Sequence, residues 1–167
     1  MKLVIPAMFG EGFLDDLAPD PVRWMYGSLP EEPGGRPRAW LPSVDLAGFG
    51  QRIADARERG IGFMYTLNAS CSGNREQTAE GQRALAERLG WLTESGAEGV
   101  VATSPYVVEM VKRRFPELRV CVSTLANVDD VDKALYFENL GVEAIYLPEY
   151  LNRDFKLLSA LRRRLIC

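Results

Sequence analysis

The stretch RVCVSTLANVDDVDKALYFENLGVEAIYLPEY, residues 119–150, carries the reading that decides the fold. Its first part, 119–126, is rich in β-branched and apolar residues and reads as a strand. From 129 to 140 the apolar residues fall at helical spacing, and Gly141 stops the helix where a left-handed residue is wanted. Residues 144–150 begin a second apolar run. A strand, a helix and a strand in succession, with no tight hairpin turn between the strands, require a crossover and therefore parallel pairing.

The same rhythm extends in both directions. Towards the N-terminus, KLVIPA (2–7) reads as a buried strand and residues 24–27 as a weaker one. Residues 30–42 hold four prolines and the Gly34-Gly35 pair, which predicts a Pro/Gly-rich loop. Ser43 stands at an N-cap position before a helix over 44–59, with Leu46, Phe49, Ile53 and Ala56 on one face. GFMYTLNA (62–69) is strand-like, 77–95 helical, and 99–102 a strand. Pro105 then opens a helix, at the first turn where a missing N–H costs little, and Pro116 closes it. A helix over 152–165 ends the chain.

This makes about six parallel βα units in a single domain over 1–167. Two architectures compete for them. A doubly wound sheet normally has a Gly-rich phosphate turn after a strand, and neither GxGxxG nor a Walker sequence is present. A (β/α) TIM-type barrel fits the continuous apolar strands, but it needs eight units and roughly 250 residues. The expected fold class is thus α/β, an incomplete barrel lacking its closing strands. Its two edges leave room for a second chain or copy to complete it.

Composition narrows the chemistry. The 167 residues are 47% hydrophobic and 26% charged, as in an ordinary folded domain. A net charge of −3 does not suggest a large nucleic-acid footprint. No apolar run is long enough for a membrane span, and the start lacks the pattern of a signal peptide, so a cytoplasmic location is expected. Histidine is absent, which excludes Ser-His-Asp and Cys-His catalysis and every His-ligated metal. The three cysteines, Cys71, Cys121 and Cys167, form no CxxC pair, so no metal site and no cofactor is expected in this chain.

In parallel β/α folds, the loops after the strands build the site. Three such junctions are polar: residues 67–74 offer Asn68, Ser70, Cys71 and Asn74, residues 122–130 offer Ser123, Thr124 and Asn127, and residues 148–154 offer Glu149, Asn152 and Arg153. Each candidate also has a structural reading. Ser70, Asn74, Asp129 and Asn152 suit helix N-caps, and Arg153 with Asp154 suits a solvated ion pair. Cys71 is either a thiol activated beside a helix start or a small loop residue. Cys121, mid-strand among apolar neighbours, reads as core. Arg162, Arg163 and Arg164 suit a helix end.

The strings LNASCSGNRE, SPYVVEMVKRRFPELRVCVSTLANVDDVDKALYFENLG and LNRDFKLLSALRR resemble the collagenase-like peptidase family, family U-thirty-two of the peptidase classification. The likeness covers residues 62–167 and implies the N-terminal part of that family's barrel. It also implies either a protease-like hydrolase or, as in other branches of the family, an oxygen-independent hydroxylation factor with an iron–sulfur cluster on four downstream cysteines. Both the closing strands and those cysteines are expected outside this chain, and Cys167 takes no ligand role. The resemblance leaves a peptide, a nucleic-acid base and a small molecule such as a quinone precursor open as substrates, and the planar guanidinium of Arg153 suits a fork for carboxylate or phosphate. The competing reading is a non-catalytic interaction module that pairs through its open barrel edge.

Overall fold

The computed structural model describes residues 2–7, 12–15, 21–32 and 44–166. Ser43, Cys167 and most of the Pro/Gly-rich loop fall outside the described residues. Six strands alternate with five helices: β1 (Leu3–Pro6), β2 (Val22–Gly27), α1 (Leu46–Glu58), β3 (Gly62–Leu67), α2 (Ala79–Glu94), β4 (Gly99–Ala102), α3 (Pro105–Arg114), β5 (Arg119–Val122), α4 (Val131–Asn139), β6 (Ala144–Ile145) and α5 (Phe155–Arg164). All strand pairs are parallel, in the order β1-β2-β3-β4-β5-β6. A doubly wound sheet reverses its order at a switch point. This sheet never does, so the chain forms an incomplete TIM-type barrel.

Local chemistry sets the helix boundaries. Asp45, Thr78, Asp130 and Asp154 cap α1, α2, α4 and α5, accepting from the N–H three residues on, of Gly48, Gly81, Lys133 and Leu157. Each such cap stabilises its helix by about 1 kcal/mol. These assignments correct the sequence reading, in which Asn74, Asp129 and Asn152 were cap candidates. Asn74 instead takes a left-handed turn with φ 59°, ahead of a 3-10 turn over Arg75–Gln77. Asp129 pairs with Lys133 at 2.5 Å. Lys112, Arg113 and Arg114 end α3 and Arg162, Arg163 and Arg164 end α5, where the helix dipole favours cations.

The strands also end earlier than their apolar runs. β5 stops at Val122, and Thr124–Ala126 winds into a 3-10 turn. β6 keeps only two residues, and Glu149–Leu151 is again a 3-10 turn. In both places the chain leaves the sheet to deliver polar groups to the strand-end face.

Side chains alternate across the sheet as the pleat demands. Met25, Phe63, Tyr65, Val100, Ala102, Val120 and Val122 face the helices and join the main core. Phe49 of α1 sits edge-on to Phe63 and Tyr65, with ring centroids 5.4 and 5.6 Å away. Leu46, expected on the same face as Phe49, is exposed because it opens the helix above the core. On the concave side Trp24, Met64, Val101 and Cys121 form a second cluster, flanked by Tyr26, Ala144 and Tyr146. That cluster is the barrel interior. The two edges are less covered: Leu3 and Val4 of β1 are exposed, and β6 is half-buried.

One glycine is fixed by a close approach. A Cβ at Gly99 would lie 2.2 Å from the Arg119 carbonyl oxygen on β5, an atom that moves only with the strand. Gly99→Ala is expected to lower the unfolding free energy by about 2 kcal/mol in urea titrations. Gly60→Ala, at a position with open space around it, is expected to pay only for its φ of 73°.

Candidate functional site

Three consecutive strand ends meet at the C-terminal face. Asn68, just past β3, donates from Nδ2 to Ser123 Oγ at 3.4 Å, although the two are 55 positions apart in the chain. Between them Thr103, just past β4, donates to the Asn68 carbonyl oxygen at 3.0 Å. Ser123 is 3% exposed, and its hydroxyl oxygen also accepts from Leu125 N–H, which starts the 3-10 turn. The alternation that places Met64 and Cys121 in the interior places Asn68 and Ser123 on the same side, nearer the mouth. Two sequence candidates are thereby brought together, bridged by a threonine that the sequence reading passed over.

Further along the rim, Tyr150 donates to Asn127 Oδ1 at 2.6 Å, tying the loop after β5 to the turn after β6. Asn127 holds a left-handed conformation with φ 51°, and its amide reaches Asp129 at 3.4 Å. Lys133 beside Asp129 holds that carboxyl below its ordinary range through a hydrogen bond. Thr124, Glu149, Asn152 and Arg153 are exposed around the same loops. No ion pair joins Arg153 to Asp154 among the described residues; Asp154 is occupied in capping α5.

A cavity of about 650 Å³ opens beside this rim, between the loop after β3, α2 and the start of α3. Its volume lies in the range of small-molecule and peptide side-chain sites. Ser70 lines it, together with Ser72, Arg75, Glu76, Thr103 and Ser104 above an apolar floor that includes Leu67, Leu85 and Val107. Ser72 donates to Glu76 within the loop. Cys71 and Asn74, from the same loop, are exposed and do not line the cavity; the Cys71 sulfur accepts from Gly73 N–H at 3.4 Å.

Glu32 and Arg88, which line the cavity, belong to a polar network that sequence inspection missed. Tyr65 is fully buried, donates to Glu32 Oε1 at 3.0 Å and accepts from Leu29 N–H at 3.2 Å. Glu32 pairs with Arg88 Nε at 2.7 Å, and the Arg88 guanidinium lies 5.5 Å from the Trp91 ring centroid. Burial, and next the Glu32 carboxylate, push the Tyr65 hydroxyl far above its ordinary range. It therefore acts as a fixed donor. The available signal was a tyrosine in an otherwise apolar strand, since a buried phenol needs a partner.

The thiols differ in kind. Cys121 is fully buried, and desolvation pushes its pKa up to about 11, so it stays protonated at neutral pH. A four-cysteine iron–sulfur cluster needs four thiolates, whereas the chain has three cysteines, one of them held neutral in the barrel interior. The donor set does not fit such a cluster. Among the described residues, no group of three or more His, Cys, Asp or Glu could hold a metal ion.

The description "Peptidase family U32" belongs to the family model that matches residues 38–156. An uncharacterized protease of Methanocaldococcus jannaschii is 32% identical over 145 residues, which are 86% of this chain and 42% of that protein. A solved U32 peptidase superposes with a TM-score of 0.79 at 23% identity, covering 99% of this chain and 66% of its own. A chitinase from Aspergillus fumigatus superposes with a TM-score of 0.58 at 11% identity, covering 98% and 74%. The chain thus spans about two fifths of the curated relative and just under two thirds of the solved peptidase. No helix among the described residues is long and apolar enough to cross a membrane.

Two outcomes follow from the site geometry. At pH 8, iodoacetamide followed by peptide mass mapping should label Cys71 in the folded protein and leave Cys121 untouched until urea is added. Tyr65→Phe leaves Leu29 N–H and Glu32 without that partner, and should cost about 2 kcal/mol of stability in urea unfolding.

Proposed function

We propose, for a chain that belongs to peptidase family U32, that it forms the substrate-binding wall of a hydrolase barrel and turns over only when the remaining βα units are supplied. One observation carries this reading: Asn68, Thr103 and Ser123 join at three successive strand ends, beside a cavity of about 650 Å³. Strand C-termini are where parallel barrels place their chemistry. The cavity's apolar floor and hydroxyl-rich rim suit a peptide segment, with side chains on the floor and amides at the rim. The protease name of the archaeal relative supports the same class. The cluster-dependent hydroxylation implied by other branches of the family would take its four cysteines from the part of the barrel that this chain does not cover.

On this reading the Asn68 amide and Ser123 hydroxyl orient the substrate backbone, and exposed Arg153 clamps an anionic group with its planar fork. With no histidine in the chain, proton transfer falls to a carboxylate, lysine, cysteine or tyrosine, or to a group on the part of the barrel that this chain does not cover. The second reading, a non-catalytic module that pairs through its open edge, is favoured by exposed Leu3 and Val4 on β1 and by the short ladder of β6.

The test joins this chain to a polypeptide carrying the barrel segment of a full-length relative that this chain does not cover. Fluorogenic peptides should be cleaved by the joined protein and not by the chain alone. Asn68→Ala and Arg153→Ala should each reduce kcat/KM by about tenfold or more without lowering thermal stability by a matching amount. Cleavage that is absent from a well-folded joined protein would sink the hydrolase reading. Loss of stability with unchanged turnover in Arg153→Ala would return that residue to a surface role.

A further inference from the structure

Two polar atoms in the barrel interior are buried without a hydrogen-bond partner among the described residues: Trp24 Nε1 on β2 and the Tyr146 hydroxyl just past β6. Trp24 is 6% exposed. The Tyr146 hydroxyl lies against the Cys121 thiol, without a hydrogen bond of regular geometry. Buried indole N–H and phenol O–H groups normally find partners, and leaving one unpaired is costly. Two such atoms in one small interior therefore point to an acceptor that the described residues do not provide.

The sheet register says where that acceptor belongs. In a parallel barrel the strands tilt, so inward side chains from alternate strands meet in layers of four. The pairings Tyr26↔Met64↔Gly99 and Val101↔Cys121↔Ala144 let each layer be followed by moving two strands along and two residues up. One layer then holds Tyr26, Val101 and Tyr146, and the next below holds Trp24, Gly99 and Ala144. The observed packing agrees: Trp24, Tyr26, Val101, Ala144 and Tyr146 belong to one interior cluster. Both layers are built from β2, β4 and β6, and each has three members. The fourth place in each falls to the strand that would stand eighth. The orphaned donors occupy these two incomplete layers, one in each.

We propose that the strand taking the eighth place carries two inward side chains with acceptor oxygens (Asp, Glu, Asn or Gln) at alternate positions, one receiving Trp24 Nε1–H and the other the Tyr146 hydroxyl. The partner is a polypeptide supplying the remaining βα units, and the inference rests on the barrel completion proposed above. Alternate spacing follows because successive inward positions on a strand are two residues apart. An apolar pair at those positions would seal both donors permanently away from any acceptor. The interior thus selects its closing segment by polarity as well as by shape.

The test uses the intact chain and the same uncovered barrel segment of a full-length relative, added as a separate polypeptide. Binding is measured by calorimetry with light scattering, and the Trp24 indole signal is followed in a proton–nitrogen correlation spectrum, assigned by its loss in Trp24→Phe. The expected result is a one-to-one complex in which that signal moves as the N–H gains an acceptor. Tyr146→Phe should bind the segment about tenfold more weakly, because it strands a buried acceptor. Alone, the same variant should melt at an equal or higher temperature, since it removes an unpartnered buried oxygen. This opposite sign separates a recognition role from a purely structural one, and Tyr146→Phe keeps the test open if Trp24→Phe fails to fold. A complex with an unmoved Trp24 signal and wild-type affinity for Tyr146→Phe overturns the polar pairing and leaves barrel completion standing. Absence of any complex, or pairing of the chain only with a second copy of itself, overturns both.

Discussion

The two-residue alternation along β2–β5 is the constraint from which the other features of this chain follow. Each of these strands has to bury both faces, one under helices and one inside the barrel, and parallel register keeps the two sets of side chains apart. Large residues such as Phe63 and Tyr65 go outward, where Phe49 and Trp91 receive them. Trp24, Met64, Val101 and Cys121 go inward. Continued one step beyond the ladder, the same alternation brings Asn68 within reach of Ser123. A slip of one residue in β3 would move Tyr65 into the interior and turn Asn68 away from the mouth.

Much of the architecture was legible in the sequence because it rests on local signals. Apolar runs, Gly141 as a stop and Pro105 as an opener gave the order of elements, and the crossover in 119–150 gave parallel pairing. Boundaries were less legible where competing groups stood side by side. Asp129 and Asp130 are equally good caps by residue type, and only the position of Lys133 decides between them. Apolar runs could not reveal that β5 and β6 end early, because Thr124–Ala126 and Glu149–Leu151 keep apolar content while winding into 3-10 turns.

The candidate site was half legible, for a different reason. Strand-end position is a sequence-readable property, and it found Asn68, Ser70 and Ser123. The same rule applied to β4 would have found Thr103 and Ser104. Nothing local joins Glu32, Tyr65 and Arg88, which come from three elements and meet only through the fold. The unpartnered indole of Trp24 was likewise invisible, since a tryptophan in an apolar strand looks the same whether or not its N–H is satisfied.

The brevity of β6 bears on how cooperatively the molecule holds together. Its ladder has two register pairs, Cys121↔Ala144 and Val122↔Ile145, with Glu143 N–H and Tyr146 N–H donating to the Val120 and Val122 carbonyls on either side, while α4 and α5 pack on one another. The last βα unit is therefore the natural first place for sub-global opening, with amide exchange there running ahead of exchange in β3 and β4. Opening confined to that unit would leave β2–β5 and their two buried faces intact, so the edge of the sheet can loosen without loss of the rest of the fold.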